Sequence, residues 1–426
     1  MARIAGCNFT FAAGRPLPRR RALPPLAGLA WCGLWTVAAV GQQPAPPSEP
    51  IRLTEAARRL HADALVIDGH NDLPWALRKQ ADGSFDRLDI ALPQPSLQTD
   101  LPKLRAGGVR AQFWSVWVPG ETALRGAALA TTIEQIELVQ AMVRRYPDAL
   151  ALATTADDVE RIAATGKIAS LIGVEGGHCI ENSLGALRRL HALGARYMTL
   201  THTEGLDWAD SATDDERHGG LTHFGEQVVA EMNRLGMMVD LSHVSPAAMR
   251  HVLRVAQAPV IFSHSSARGV ADHPRNVPDD VLPLVARNGG VVMVNFYAGF
   301  LHPRNAQREA RRMAQRRVWK DEGLDDAALR KKLRAWDLEH PAERGDIRLL
   351  GDHIDHVVRL AGVDHVGLGS DFDGVTLLPE QLEDASRFPY VTQLLLDRGY
   401  AESDIRKILG GNLLRVLRAV EAAAER

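Results

Sequence analysis

Cysteine is scarce in this sequence. Three cysteines occur in 426 residues, Cys7, Cys32 and Cys179, and the first two fall in an amino-terminal segment that we expect to be removed. A single remaining cysteine cannot form an internal disulfide, which excludes a fold held together by disulfides. Stability must therefore come from a hydrophobic core, with or without bound metal.

Other absences narrow the class of protein. The 36 glycines and 23 prolines follow no period, which excludes collagen-like and low-complexity chains. A composition of 46% hydrophobic and 24% charged residues is neither that of a disordered chain nor that of a coiled coil. Beyond residue 41 the chain holds 45 basic and 52 acidic residues, a balance of −7. This mildly acidic body gives no reason to expect a nucleic-acid partner.

The first 41 residues contain five arginines and no acidic residue. A basic stretch precedes about twenty uncharged residues, and the small residues Ala39 and Gly41 stand where a signal peptidase cleaves. We predict a signal peptide over 1–41, and then a short Pro-rich linker and the start of the first helix over 42–59. The protein would be exported, to the periplasm or out of the cell. An uncleaved membrane anchor is the alternative, because the apolar run is just long enough to span a bilayer. The polar carboxyl end predicts no lipid anchor there.

From position 64 onward, short β-branched or apolar runs alternate with amphipathic helical patterns. The eight runs cover 64–72, 109–118, 168–177, 195–202, 236–244, 259–266, 289–297 and 365–374. Eight such repeats predict an α/β fold, a (β/α)₈ TIM barrel that forms a single domain over 60–426. A doubly wound sheet is the alternative, but no G-x-G-x-x-G turn follows the first run.

One charged stretch, residues 301–346, interrupts this alternation after the seventh strand. Its composition predicts a helical insertion. The insertion is either a solvated surface element or a lid or oligomer contact over the mouth of the barrel. A homodimer is one candidate for the oligomeric state, which the sequence does not decide.

Polar residues stand at the predicted carboxyl ends of six strands. They are His70 and Asp72 on the first strand, Glu175 on the third, His202 on the fourth, His243 on the fifth, His264 on the sixth and Asp371 on the eighth. Catalytic groups of such barrels lie at this end of the strands. Four histidines and three carboxylates on one rim predict a metal site.

The spacing of these residues suggests how they share metal. His70 and Asp72 are two positions apart on a strand, so both side chains point the same way and can bind one ion. His243 and His264 end neighbouring strands and can bind a second ion, and Glu175 has two oxygens with which to bridge both. This donor set suits zinc better than calcium, although manganese and cobalt stay open. A two-metal site generates hydroxide at neutral pH, which favours hydrolysis.

Two rim residues remain for other roles. Asp371 can carry a proton from the attacking water to a leaving amine, unless it only caps a turn. His202 can polarise the reacting carbonyl, unless it is structural. Serine chemistry is disfavoured, because no G-x-S-x-G motif appears. Cys179 follows Glu175 by four residues and is better explained as a small buried thiol than as a nucleophile.

The motifs DGHNDLPW, GVEGGHCIE, DLSHVS, PVIFSHSSA, RNVPDDVL and SDFDGV occur in that order. Together they resemble the renal-type membrane dipeptidase family of metallopeptidases over about residues 60 to 420. The resemblance implies a metal-dependent (β/α)₈ barrel with two zinc ions that cleaves dipeptides with free amino and carboxyl ends. It also brings in D-residue dipeptides and β-lactams as candidate substrates.

The resemblance also implies a role for each residue that matches. His70 and Asp72 would bind one zinc, His243 and His264 the other, Glu175 would bridge, Asp371 would shuttle the proton, His202 would lie near the scissile carbonyl, and Arg275 would pair with the substrate carboxylate. Arg275 enters only through the resemblance, since the sequence alone marks it as a loop arginine.

Two other functions compete with a dipeptidase. Metal-dependent deacetylases and lactonases commonly begin with H-x-H on the first strand and carry a modified lysine on the fourth. This chain has H-x-D on the first strand and ends the fourth with His202. An inactive binding protein on the same barrel is a third hypothesis, which the presence of every ligand and of Asp371 disfavours.

Overall fold

Parallel strands alternate with helices through residues 49–424, the part of the chain that the computed structural model of the protein describes. The strands are β1 (Val66–Asn71), β2 (Val109–Trp117), β3 (Leu150–Leu152), β4 (Ile168–Glu175), β5 (Ala195–Thr199), β6 (Met238–Asp240), β7 (Ile261–Phe262), β8 (Val291–Val294) and β9 (Val366–Leu368). Their order in the sheet is β1-β2-β4-β5-β6-β7-β8-β9, and β3 pairs with β4 outside this path. The eight predicted runs are the eight strands of this path, whereas β3 was not predicted.

The first and last strands of the path come together at their carboxyl ends. Asn71 bridges to Phe372, the Asp371 amide donates to the His70 carbonyl (3.0 Å), and the Asp72 amide donates to the Phe372 carbonyl (2.8 Å). The sheet is thus a nearly closed parallel barrel, which confirms the predicted TIM-barrel class and excludes a doubly wound sheet. The closure places the end of β9 beside the end of β1.

Helices surround this barrel. They are α1 (Glu55–Asp63), α2 (Leu73–Ala81), α3 (Leu101–Ala106), α4 (Ala128–Arg145), α5 (Ala156–Ala164), α6 (Leu184–Ala192), α7 (His223–Leu235), α8 (Pro246–Val255), α9 (Leu282–Asn288), α10 (Ala298–Leu301), α11 (Pro303–Asp321), α12 (Asp326–Glu339), α13 (Arg348–Ala361), α14 (Phe388–Asp397), α15 (Glu402–Arg406) and α16 (Asn412–Ala423). Several begin at a side-chain cap. Ser183, Thr222 and Ser245 accept from the backbone amide three residues on, which fixes where α6, α7 and α8 start.

Alternate side chains of each strand pack into different buried clusters. On β8, Val292 and Val294 pack with the surrounding helices. Met293 instead shares a cluster with Phe113 of β2 and Tyr197 of β5, which are not neighbours of β8 in the sheet. Side chains from distant strands therefore fill the barrel interior, and the seven polar residues predicted for the rim lie at its carboxyl-terminal end.

The predicted helical insertion is present after β8, the seventh strand of the barrel. It comprises α10, α11 and α12. Asp337 of α12 accepts hydrogen bonds from Arg308 and Arg312 of α11, and the Arg308 guanidinium lies 5.0 Å from the centre of the Trp336 ring. The two long helices are therefore joined mainly by partly exposed ion pairs.

The predicted signal peptide, 1–41, and residues 42–48 of the predicted linker lie outside the described residues. Within residues 49–424, no helix combines the length and the apolar character needed to cross a membrane.

Candidate active site

The seven polar rim residues converge on one end of the barrel. His70 and Glu175 lie within β1 and β4. The other strands are shorter than predicted, because β6 ends at Asp240 and β7 at Phe262, so His243 and His264 stand on the loops that follow. All of the carboxylates in the group are buried, with Glu175 only 4% exposed.

One donor set forms around His70. Its Nε2 lies 3.3 Å from Oδ2 of Asp72 and 3.4 Å from Oε2 of Glu175. This Nε2 is buried and has no hydrogen-bond partner among the described residues. The predicted H-x-D pair thus faces one point, together with one oxygen of Glu175.

A second donor set forms around the other oxygen of Glu175. Its Oε1 lies 3.1 Å from Nε2 of His243 and 3.4 Å from Nε2 of His264. These two imidazole nitrogens are 2.9 Å apart. Glu175 therefore contacts both donor sets, one with each oxygen, as a bridging ligand requires.

The two sets fit metal ions. Tetrahedral zinc with ligands at 2.0–2.1 Å has ligand–ligand separations of about 3.3 Å, close to the distances between these donors. Burial, reinforced by the positive charge of Arg275, holds the pKa of His243 and of His264 well below the usual value. Both imidazoles are therefore neutral at physiological pH, with a lone pair available for a metal.

Tyr197 orients His70, a contact that the sequence analysis missed. Its hydroxyl lies 2.9 Å from Nδ1 of His70 and 3.3 Å from the Gly69 carbonyl, to which it can donate. The hydroxyl oxygen then accepts a hydrogen bond from the Nδ1–H group of His70. The lone pair of Nε2 therefore faces the donor set. The ring has room because its neighbour on β4 is Gly173, where a Cβ atom would lie 2.0 Å from the ring. The sequence signal for this contact was a tyrosine, a large ring with a polar hydroxyl, in the middle of a predicted strand.

A buried carboxylate orients His264 through a hydroxyl. Ser263 donates to Oδ2 of Asp240 at 2.6 Å, and its Oγ lies 2.8 Å from Nδ1 of His264. Because the Ser263 hydroxyl donates its hydrogen bond to the carboxylate, its Oγ accepts a hydrogen bond from the Nδ1–H group of His264. The lone pair of Nε2 is then free to bind a metal. The sequence analysis considered serines only as nucleophiles and did not consider Asp240.

Asp371 lies beside the first donor set. It forms a possible ligand group with His70 and Asp72, and Asn295 donates to its Oδ2 at 2.8 Å. Burial, together with the neighbouring Asp72 carboxylate, raises the pKa of Asp371 well above its usual value. The residue also has a positive φ of 63°, a backbone conformation that is uncommon outside glycine and is often found at functional sites. This carboxyl group is suited to hold a proton.

His202 lies at the outer edge of the second set. Its ring stacks on His243 with centres 4.2 Å apart, and its Nε2 is 3.6 Å from Oε1 of Glu175. With Glu175 and His243 it forms another possible ligand group. Its side chain is 23% exposed, more than the other histidines of the cluster, so it is the imidazole most accessible to a substrate.

Arg275 is not the surface loop residue that its sequence suggests. It is 4% exposed, and its two terminal nitrogens lie 3.4 Å from Oγ of Ser265 and from the His264 carbonyl. Burial lowers the pKa of Arg275 to about 10, which still leaves it charged. Its guanidinium also lies 5.2 Å from the centre of the Phe300 ring. A buried cation therefore faces the metal-binding residues.

These groups open into a cavity of about 430 Å³, which we call the central cavity. Its walls include Glu175, His202, Arg275, Asp371 and Trp117. Cys179 is fully buried, with its sulfur 3.9 Å from Nε2 of His178, and is not one of the residues that line this cavity. The arrangement is that of a small-molecule site with candidate metal ligands on one wall and a cation beside them.

Comparison with known proteins places this site in context. A family model described as membrane dipeptidase, peptidase family M19, matches residues 54–426. Dipeptidase 3 of Mus musculus is 41% identical over 384 residues, covering 89% of this chain and 69% of that protein. Dipeptidase verJ of Clonostachys rogersoniana is 40% identical over 375 residues, 86% of each chain.

Solved structures share the architecture. The probable dipeptidase PvdM of Pseudomonas aeruginosa superposes with a TM-score of 0.78 at 25% identity, covering 87% of this chain and 98% of that one. A metallo peptidase of Rhodobacter sphaeroides, liganded with a phosphinate mimic of the dipeptide L-Ala-D-Ala, superposes with a TM-score of 0.70 at 25% identity, covering 84% of this chain and all of that one.

Proposed function

Because the chain belongs to the membrane dipeptidase family, peptidase family M19, and is a metal-dependent hydrolase of that dipeptidase class, we propose that it is an exported enzyme with two zinc ions. The observation that carries this proposal is the position of Glu175 between two donor sets. His70 and Asp72 would hold one ion, and His243 and His264 the other. When bound, the ions would lower the pKa of a water molecule and polarise the peptide carbonyl.

The surrounding side chains have separate tasks in this proposal. Asp371 takes a proton from the attacking water and delivers it to the leaving amine, since burial and the neighbouring Asp72 carboxylate raise its pKa well above the usual value and favour its holding a proton. His202, at the accessible edge of the cluster, donates a hydrogen bond to the substrate carbonyl. Asn295 holds the Asp371 carboxyl group in place through its 2.8 Å hydrogen bond.

Arg275 would select dipeptides from longer peptides. Its planar guanidinium can bind the free carboxylate of the substrate with two hydrogen bonds. In a longer peptide the free carboxylate would lie beyond the reach of Arg275. The buried guanidinium would then receive no counter-charge from the substrate. The expected substrates therefore have a free carboxyl end and, toward the carboxylates of the metal site, a free amino end.

Metal content and turnover test this proposal together. Protein purified without chelator and supplied with zinc should contain about two zinc ions per chain, as two donor sets require, and hydrolyse dipeptides such as L-Ala-L-Ala. Chelation should abolish hydrolysis and lower the melting temperature, since the buried donors lose their ion. One ion or none per chain would contradict the binuclear site. Hydrolysis of N-acetyl amino acids or lactones in place of dipeptides would favour the amidohydrolase alternative, and no hydrolysis the inactive binding protein.

The proposal extends to D-residues at the carboxyl end and to β-lactams. The ligand of the Rhodobacter sphaeroides relative mimics L-Ala-D-Ala, which supports including D-residues. Parallel assays with L-Ala-D-Ala and L-Ala-L-Ala, and with a hydrolysable β-lactam, test each substrate class separately. Rates below one hundredth of the L-Ala-L-Ala rate would remove that class from the proposal.

Export rests on the composition of residues 1–41. The mature protein should begin at or near Gln42 and should be found outside the cytoplasm. Amino-terminal sequencing of the native protein measures this directly. A membrane-bound protein that begins at Met1 or Ala2 would instead support the uncleaved anchor.

A further inference from the structure

A second cavity, of about 660 Å³, adjoins the central cavity. Both cavities have His243, Arg275 and Phe300 in their walls, so they meet at Arg275. We call it the arginine cavity, because its walls include Arg275, Arg308, Arg312 and Arg316, together with Tyr297 and Phe300. No role in the proposed reaction accounts for these additional arginines.

Helix α11 builds one wall of the arginine cavity. Arg308, Arg312 and Arg316 are spaced four residues apart, which puts them on the same face of a helix. Arg308 and Arg312 are bound by Asp337 at 2.5 and 2.9 Å. These two side chains are therefore held in place, and much of their charge is neutralised.

Arg316 differs from the other two arginines of this face. Within residues 49–424 its side chain makes no ion pair and no hydrogen bond. Glu309 and Asp337, the acidic residues in the cavity wall, pair with Arg308 and Arg312 instead. The cavity thus carries an uncompensated positive charge one helical turn beyond a fixed pair.

Resting on the proposed dipeptidase function, we infer that the arginine cavity receives an acidic side chain of the carboxyl-terminal substrate residue, with Arg316 as its counter-charge. If Arg275 binds the α-carboxylate, the side chain of that residue projects from the point where the two cavities meet. Tyr297 and Phe300 provide apolar surface for its methylene groups. The substrate class is therefore dipeptides that end in glutamate or aspartate.

L-Ala-L-Glu and L-Ala-L-Gln test this inference, because they have nearly the same shape and differ in one charge. The wild-type enzyme should favour Ala-Glu by about three- to tenfold in kcat/KM, the range expected for a partly exposed charge pair. Arg316→Gln should bring the ratio of the two kcat/KM values close to one, and Arg316→Glu should bring it below one. The ratio is the readout because a general structural defect would lower both rates together.

Arg311→Gln is the matched control. Arg311 is also an exposed arginine of α11, but it is not among the residues that line the cavity, so its loss should leave the ratio unchanged. Raising the ionic strength should lower the wild-type ratio, since salt screens an exposed pair. Equal kcat/KM values for both dipeptides, or an unchanged ratio in Arg316→Gln, would overturn the inference while the dipeptidase function stands. Failure to hydrolyse both dipeptides while L-Ala-L-Ala is cleaved would overturn the inference alone, and failure to hydrolyse all three would overturn the dipeptidase function as well.

Discussion

At the barrel rim, carboxylates and imidazoles are buried and most are held by a second side chain, whereas along α11 and α12 charged side chains lie near the surface and pair with one another. Ser115 holds Glu175 at 3.0 Å, and Asn295 holds Asp371 at 2.8 Å. In the insertion, Arg312 of α11 pairs with Asp337 of α12, and their side chains are 27% and 35% exposed. Buried charges are expensive to misplace and exposed ones are not. The buried rim residues can therefore hold one catalytic geometry, whereas the exposed charges of the insertion can be replaced with little loss of stability.

The largest effect should come from Glu175→Gln at the rim. The amide has one acceptor oxygen where the carboxylate has two, so both donor sets lose a charged ligand. We expect zinc to fall well below two ions per chain and kcat to fall on the order of 10³-fold or more. Elemental analysis and dipeptide turnover measure the two effects. Glu322→Gln, an exposed carboxylate after α11, should change neither, and full zinc content in Glu175→Gln would contradict a bridging role.

Asp371→Asn separates proton transfer from metal binding at the same rim. The amide preserves the shape but cannot exchange a proton, so kcat should fall about 10²- to 10⁴-fold while zinc content stays at the wild-type value. Stopped-time assays and elemental analysis on one preparation provide both numbers. If zinc is lost together with activity, Asp371 is a ligand and its role as proton carrier is wrong.

Arg275→Lys tests the residue that lies between the rim and the insertion, in the walls of both cavities. Lysine keeps the charge but loses the planar pair of donors, so kcat/KM for a free dipeptide should fall about 10- to 100-fold. A dipeptide amide lacks the carboxylate, so it should already be a poor substrate of the wild type and lose little more. Steady-state kinetics on both substrates checks this. Equal losses would mean that Arg275 supports its loop and does not bind substrate.

The smallest expected effects are on the free energy of unfolding, in variants of a buried carboxylate and of a partly exposed one. Asp240 accepts four hydrogen bonds, from Thr199, Ser242 and, twice, Ser263, so Asp240→Asn should lower the free energy of unfolding by about 1–3 kcal/mol. Asp337→Asn in the insertion should cost about 1 kcal/mol or less. Urea denaturation at a fixed zinc concentration measures both. A larger loss of unfolding free energy for Asp337→Asn would mean that the ion pairs of the insertion contribute substantially to global stability.

The sequence predicted the barrel and the rim residues better than it predicted what surrounds them. Strands and strand ends follow from local patterns, so the sequence is sufficient to place His70, Glu175 and Asp371 on one rim. The contacts of Tyr197 and Asp240 depend on which strands are neighbours, and a local pattern does not contain that. The short strand β3 was missed because three residues carry too little periodicity.

In the insertion, too, local sequence patterns predict secondary structure but not the contacts between elements. Its charge and helical propensity predicted helices, and the helices are there. Composition does not say which arginines are paired or which ones line the cavity, so Arg316 could not be distinguished from Arg308 or Arg311 by sequence. The burial of Arg275 was equally hidden, since the fold, and not the loop sequence, covers it.

Gly173 and Tyr197 limit the order in which this protein can change during evolution. A Cβ atom at position 173 would lie 2.0 Å from the tyrosine ring, so no other residue is accepted there while the tyrosine remains. A lineage that first lost Tyr197 could then acquire a larger residue at position 173, and the tyrosine could not return without a second mutation. The first of these two steps removes the hydroxyl that orients His70, and the second step hinders its return.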